Sequence, residues 1–295
     1  MNKSASLTLS LTLCALLLSG CGLHIRPSLG LSGINYEHPE KYTVGGAAFT
    51  DKVEKVEIHW LSGSVTVTGH RGNEIRFSET ANRNLTNDLS MHYWLDGSTL
   101  RIQFCRSGKW NLNGLEKELT LQLPERLLES LEVDTVSARV NLEDLKMEDL
   151  ELDTVSGAVH LRDCQVSDRA RVDTTSGFVK AALTGALREW KADTVSGSVE
   201  LIVPEVKAFD VNTTSGSVSL TAESAPKDLD VDSVSGSVTL CLPADGDFTL
   251  DFDTVSGSFS SDLAFKTEGS RRIFGRGTGD YSIDTTSGSV NIEEK

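Results

Sequence analysis

The motif Asp-Thr-Val-Ser-Gly occurs unchanged at 153–157, 193–197 and 253–257. Each polar residue in it has a chemistry of its own. A serine becomes a nucleophile when one base and one oxyanion site are assembled around it. An aspartate is a hard oxygen ligand suited to Ca²⁺. A Ser, Thr or Gly can equally be the material of a turn.

Variants of the motif begin at Asp134, Asp153, Asp173, Asp193, Asn212, Asp232, Asp253 and Asp284, at spacings of 19, 20, 20, 19, 20, 21 and 31. A degenerate copy, HWLSGSV, begins at His59. Numbered from the Asp as position 0, Ser recurs at +3 in every copy, and Gly at +4 in all but one, where Ala138 stands. Nine equivalent serines without a matching histidine read as a ladder at a chain corner, not as a nucleophile. The Asp column is the stronger candidate for chemistry. Stacked carboxylates repel, so turn N–H groups or Ca²⁺ between neighbours must offset the charge. The turn reading is preferred because Asn212 interrupts the column and the G-G-x-G-x-D pattern of calcium nonapeptides is absent. No metal site is therefore assigned.

Other motifs give little. H-E-x-x-H and G-x-S-x-G are absent, SGKW at 107–110 lacks phosphate-loop spacing, and GRGTG at 275–279 does not join a strand to a helix. His59, His70 and His92 have no ligand spacing. The long last interval carries Lys266, Arg271, Arg272 and Arg276 around Phe274. In an acidic chain these arginines are a candidate contact for an anionic partner, such as a glycan or envelope phosphate. The plainer reading is a solvated loop. No catalytic or cofactor-binding residue is assigned, so no enzyme activity is expected.

The elements that position the motif follow from its flanks. Apolar residues recur at −3 and −1, then at +6 and +8, the period-2 signature of strands. Asp at 0 is expected to point outward and Thr at +1 inward, with Thr bonding to Thr of the next coil. Gly is expected to supply positive φ at the turn. One repeat cannot bury its own apolar face, but stacked repeats about 4.8 Å apart can. The expected fold is all-β, a right-handed parallel β-helix of about 20-residue coils with an irregular β cap at its N-terminal end. The cap region, 47–133, includes the hairpin signal Asp96-Gly97 and the strands EIRFSET and KELTLQLP. The regular repeats fill 134–295. The charged ending VNIEEK is expected to discourage end-to-end growth.

Residues 1–20 have one Lys, an apolar run too short to span a bilayer, and no acid, so they read as a secretory signal. Leu18-Ser19-Gly20-Cys21 resembles the lipobox of bacterial lipoproteins, which implies cleavage before Cys21 and lipidation of its sulfur. Gly22, in place of Asp, favours the outer membrane or cell surface over the inner membrane. Removing 1–20 leaves 27 basic and 43 acidic residues, a net charge of −16. Such a body repels nucleic acid and anionic headgroups. Residues 21–46, rich in Gly with two Pro, read as a tether. Cys105, Cys164 and Cys241 remain. Cys164 and Cys241 lie four coils apart, too far to bridge.

VEKVEIHWLSGSVTVTG, LTLQLP and the serial LEVDTVSG pattern resemble the bacterial putative-adhesin family of β-strand-repeat proteins, a domain of unknown function. The resemblance spans about 45–295. It implies a β-helical envelope protein, linked in some relatives to envelope-stress regulation, with no catalytic residues. The expected function is a non-enzymatic envelope lipoprotein that presents a β-helix surface for adhesion or partner binding. A structural or regulatory component acting through another membrane protein is the alternative. A carbohydrate-active β-helix enzyme ranks below both. Calcium can be tested directly: an equal melting temperature in chelator and in excess Ca²⁺ excludes it from the Asp column.

Overall fold

The computed structural model describes residues 28–30, 33–109 and 112–295. The chain divides into two compact units, whose described parts meet at 167/168. Among the described residues there is no α-helix; the structure is β apart from one 3-10 turn, Pro39–Lys41.

In both units each motif copy joins two strands that enter two different parallel sheets. In residues 168–295 the first sheet pairs Asp173 with Asp193, Asp193 with Asn212 and Asn212 with Asp232. The second sheet pairs Val179 with Val199, Val199 with Val218 and Val218 with Val238. Like residues therefore lie over like residues. Inward positions form a core column in which Ala170, Trp190, Phe209, Leu229, Tyr281 and Leu250 neighbour one another in register. Small Ala192 lies two residues from Trp190 on the same inward face, so side-chain volume is shared within the rung.

The order of rungs departs from chain order. Gly279–Thr285 lies between Asp228–Ser233 and Phe248–Thr254, so Asp284 pairs with both Asp232 and Asp253. Val290–Glu294 is likewise held between Val238–Leu242 and Phe259–Ser261. The expectation that VNIEEK guards an open end is therefore corrected, because both edges of that strand are paired. The long last interval is a β-hairpin, Phe265–Glu268 with Arg271–Phe274, and its second strand runs antiparallel to Phe248–Asp251. Phe248 stacks between Phe274 at 4.4 Å and Tyr281 at 4.1 Å.

The other unit has a similar inversion. Lys55–Trp60 lies between Leu127–Thr135 and Thr99–Gln103. Gly63–His70 lies between Arg139–Glu143 and Lys117–Pro124. Antiparallel strands then cover this edge: His92–Asp96 and Thr43–Val44 on the first sheet, Ile75–Ala81 and Ala47–Phe49 on the second. The hairpin at Asp96-Gly97 forms as expected, with Gly97 at φ 62. The tether expected over 21–46 is shorter at its C-terminal side. Tyr36 is buried with its N–H on Ser107 Oγ, and Thr43–Val44 is paired.

The role of the motif glycine is also corrected. Gly63 of the degenerate copy has φ 96, but Gly157, Gly197, Gly216, Gly236, Gly257 and Gly288 do not have positive φ. They are required by close approach instead. A Cβ on Gly197 would overlap the carbonyl oxygen of Gly177, one on Gly216 that of Gly197, and one on Gly236 that of Gly216. Each corner rests on the backbone of its neighbour. Gly197→Ala is expected to lower stability by about 1–3 kcal/mol, and Gly197→Val by more, because the rungs must separate. Ser196→Ala should cost no more than about 1 kcal/mol. Thermal unfolding of the three variants measures the difference.

Candidate functional site

The corner is built from three kinds of hydrogen bond. The Thr at +1 is buried, and its Oγ1 accepts the N–H of the Gly at +4, at 2.8 Å in Gly197 and 2.9 Å in Gly216. Ser233 does the same for Gly236 at 2.8 Å. The expected Thr–Thr ladder is seen between Thr135 and Thr154 at 2.9 Å. Thr154 Oγ1 also accepts the Gly157 N–H at 2.9 Å, so the ladder bond and the turn bond coexist there. The exposed Ser at +3 donates both its N–H and its hydroxyl to a carbonyl of the adjacent rung. Ser215 bonds Val195 O at 3.0 and 3.4 Å, and Ser235 bonds Thr214 O at 3.0 and 3.3 Å. These serines are rungs of a ladder, with no base beside them.

The motif aspartates differ between the two units. In the unit before residue 168 they are not outward, which corrects the expectation: Asp134 is 2% exposed and Asp153 6%. His59 occupies the corresponding position of the degenerate copy, and its Nδ1 lies 2.9 Å from Asp134 Oδ2. The Tyr36 ring, 6.2 Å away, packs beside this pair. Burial, together with Asp134 and Glu57, raises the carboxyl pKa of nearby Glu132.

In residues 168–295 the first sheet carries an open carboxylate field. An open groove of about 380 Å³ is lined by Asp210, Asp228, Asp230, Asp251 and Asp280, with Arg271 among them. Lys191 reaches Asp210 at 2.7 Å on one side. Asp232 and Asp284 stand in register on adjacent strands. Partial burial and then the charges of Asp230, Asp284 and Asp210 push the Asp232 carboxyl up to about 6. Burial and neighbouring carboxylates raise Asp230 and Asp284 as well. Among the described residues no group of three His, Cys, Asp or Glu side chains has a metal-holding arrangement.

The arginines of the hairpin do not converge on one site. Arg276 is fixed to Asp247, with its N–H at 2.8 Å and Nε at 3.0 Å. Arg272 lies over Phe259 at 4.3 Å and Phe252 at 5.5 Å, covering the end of the core. Arg271 is 3.8 Å from Asp251 and edges the acidic groove. Cys21 lies outside the described residues. Burial pushes the Cys105 and Cys164 thiols up to about 11, which leaves little thiolate at neutral pH.

Two polar centres escape the motif analysis. One is His59–Asp134. The other is Lys117, fully buried, with Nζ 2.6 Å from Glu79 and 3.0 Å from Leu89 O, and also bonded to Phe104 O. The Trp60 and Phe104 rings lie 4.9 and 4.3 Å from the ammonium. Burial lowers its pKa against the opposing pull of Glu79. This centre braces the cap.

The raised aspartates give a pH signature. A carboxyl whose folded pKa exceeds its unfolded value, about 3.9, stabilises below that value and loses the contribution as pH rises through the folded pKa. For Asp232 the window is from about 4 to about 6. Asp232→Asn is therefore expected to raise the melting temperature relative to wild type more at pH 7.5 than at pH 4. Its stabilisation is on the order of 1 kcal/mol after allowance for solvent screening. Equal differences at the two pH values would refute the effect.

Residues 53–293 match the model of the family described as Toastrack DUF4097. No match was found among curated proteins. Solved structures with similarity include a putative adhesin from Bacteroides fragilis, at 13% identity, 86% of this chain and 97% of that chain, with a TM-score of 0.47. A putative adhesin from Parabacteroides merdae shows 12% identity over 84% and 96%, with a TM-score of 0.41. A putative cell adhesion protein from Clostridium sporogenes shows 12% identity over 86% and 100%, with a TM-score of 0.27. With its family model matched over most of the repeat region, the chain belongs to the Toastrack DUF4097 family.

Proposed function

We propose that the protein is a non-enzymatic envelope lipoprotein whose stacked β-repeats present flat faces for adhesion or partner binding. The observation that carries this reading is the corner ladder. The hydroxyls of Ser137, Ser156, Ser196, Ser215, Ser235, Ser256 and Ser287 all donate to neighbouring carbonyls. The repeated motif is thus committed to holding rungs together, and what varies between rungs is the outward side chain. Repeat proteins of this construction bind through their extended faces.

In this reading residues 1–20 are removed, Cys21 carries acyl chains, and a short tether leads to the body. The body is a right-handed β-helix of about 20-residue coils. The outer membrane or cell surface is the favoured location. The net negative charge holds the body away from anionic headgroups, so the anchor supplies the membrane contact. Its partner is an envelope protein or a glycan.

Metabolic labelling with a palmitate analogue, followed by membrane fractionation, tests the anchor. Cys21→Ala is expected to lose the label and move to the soluble extracytoplasmic fraction; retention of label would refute lipidation at this residue. Cross-linking in intact cells tests the binding role, with a specific envelope partner as the expected capture. The arginines have a separate test. Replacing Arg271, Arg272 and Arg276 by Ser removes the hairpin as a contact site if envelope binding is unchanged.

A further inference from the structure

In residues 168–295 the stacking of rungs stops at Phe248–Thr254 and Phe259–Ser261. The last corner shows it. Thr254 and Val255 are exposed, Val255 by 65%, whereas Thr194 and Thr213 are buried and Val195 and Val234 half-buried. Beyond this rung the first sheet is extended only by the hairpin. The outer hairpin strand, Phe265–Glu268, is exposed throughout and, among the described residues, pairs only with Arg271–Phe274. Its other edge is free.

A free strand edge is a template for another strand, and proteins ordinarily block it with charge or proline. Here the two charges are of opposite sign. Lys266 and Glu268 lie two residues apart on one face, and among the described residues neither has an ion-pair or hydrogen-bond partner. The backbone of the edge is set by the turn. The two-residue loop Gly269-Ser270 makes Glu268 and Arg271 the closing pair. In such a turn the Glu268 carbonyl takes the Arg271 N–H. By alternation Lys266 also bonds within the hairpin, and the N–H and C=O groups of Phe265 and Thr267 point to the free edge.

We infer that two copies of the chain join at this edge, with Phe265–Glu268 of one antiparallel to the same strand of the other about a two-fold axis at Thr267. Thr267 then exchanges both backbone bonds with its counterpart. Lys266 of each copy faces Glu268 of the other at non-hydrogen-bonded positions, where side chains come closest. Moving the axis to Lys266 or to Glu268 would set like charges against each other and turn the wrong backbone groups to the seam. Phe265 lies beside Gly269 of the second copy, which has open space around it. An aromatic against an edge glycine is a favourable cross-strand pair. Phe265 packs 5.6 Å from Phe259 and 5.4 Å from Phe274, yet is 40% exposed, so the second copy covers an apolar flank. A strand of another protein would have to carry this charge pattern in reverse, whereas a second copy has it by symmetry. The contact is small, so the pair is weak in free solution. It does not depend on what the faces bind.

Sedimentation of the full-length protein in detergent at increasing concentration is expected to show monomer passing to dimer and no further. Thr267→Pro removes an N–H that the hairpin does not use. It should leave the melting temperature unchanged and weaken dimerisation more than about tenfold. Lys266→Glu sets like charges across the seam and should weaken it similarly. Register is read by oxidising a mixture of Lys266→Cys and Glu268→Cys proteins. The mixed disulfide dimer should form, since it also keeps one Lys266–Glu268 pair. Either variant alone should not form one, because the Cα atoms of its two thiols lie about 8 Å apart. A protein that stays monomeric, a dimer that Thr267→Pro and Lys266→Glu leave intact, disulfides formed equally by the single variants, or assembly beyond two copies overturns the assignment.

Discussion

Everything in the repeat region depends on how near one corner can come to the next. The corner glycines lie so close to a neighbouring carbonyl that a single methyl group would push the rungs apart. That approach brings the Ser N–H and hydroxyl within reach of the adjacent carbonyl. It also lets the buried Thr close its turn on the glycine N–H. The apolar columns on either side are then in register, like over like. The corner sets the spacing, and hydrophobic burial supplies the stability.

The same packing constraint shapes the electrostatics. Once rungs are locked in register, identical side chains must stack, and aspartates stack with aspartates. The two units deal with this differently. Where the column is buried, His59 faces Asp134. Where it is open, Asp232 and Asp284 remain adjacent, with raised pKa values. On the second sheet Lys180 faces Glu200, and Ser219, Thr239, Asn291 and Ser260 continue the row without charge. One parallel architecture therefore carries a carboxylate row on one sheet and a largely uncharged row on the other.

Much of this was legible in the sequence, because the determinants are local. Alternation around DTVSG identified the strands, and Asp96-Gly97 identified the hairpin. Register followed from the constant 19–21 residue spacing. The glycine was the right residue for a reason other than the expected one, since close approach leaves no local signal distinct from that of a turn. Lys117 and Glu79 were readable in principle. Lys117 has the inward parity of Leu119 and Leu121, and Glu79 that of Ile75 and Phe77. The order of rungs was not readable. Every copy offers nearly the same edge, so nothing local tells Asp284 to enter between Asp232 and Asp253. The hairpin that makes this possible looked only like a longer interval.

That displaced order constrains how such a protein can change in length. Within residues 168–295, Gly279–Glu294 is held on both edges while the rung before it in sequence lies outside it. A duplicated repeat appended after Glu294 would find both of those edges already occupied. A repeat inserted near Asp193 or Asn212 would meet two ordinary neighbours and leave the hairpin-bearing end intact. An added repeat is therefore accommodated more readily in the interior of the row. The segment that closes the row depends on the hairpin and on both of its paired edges together.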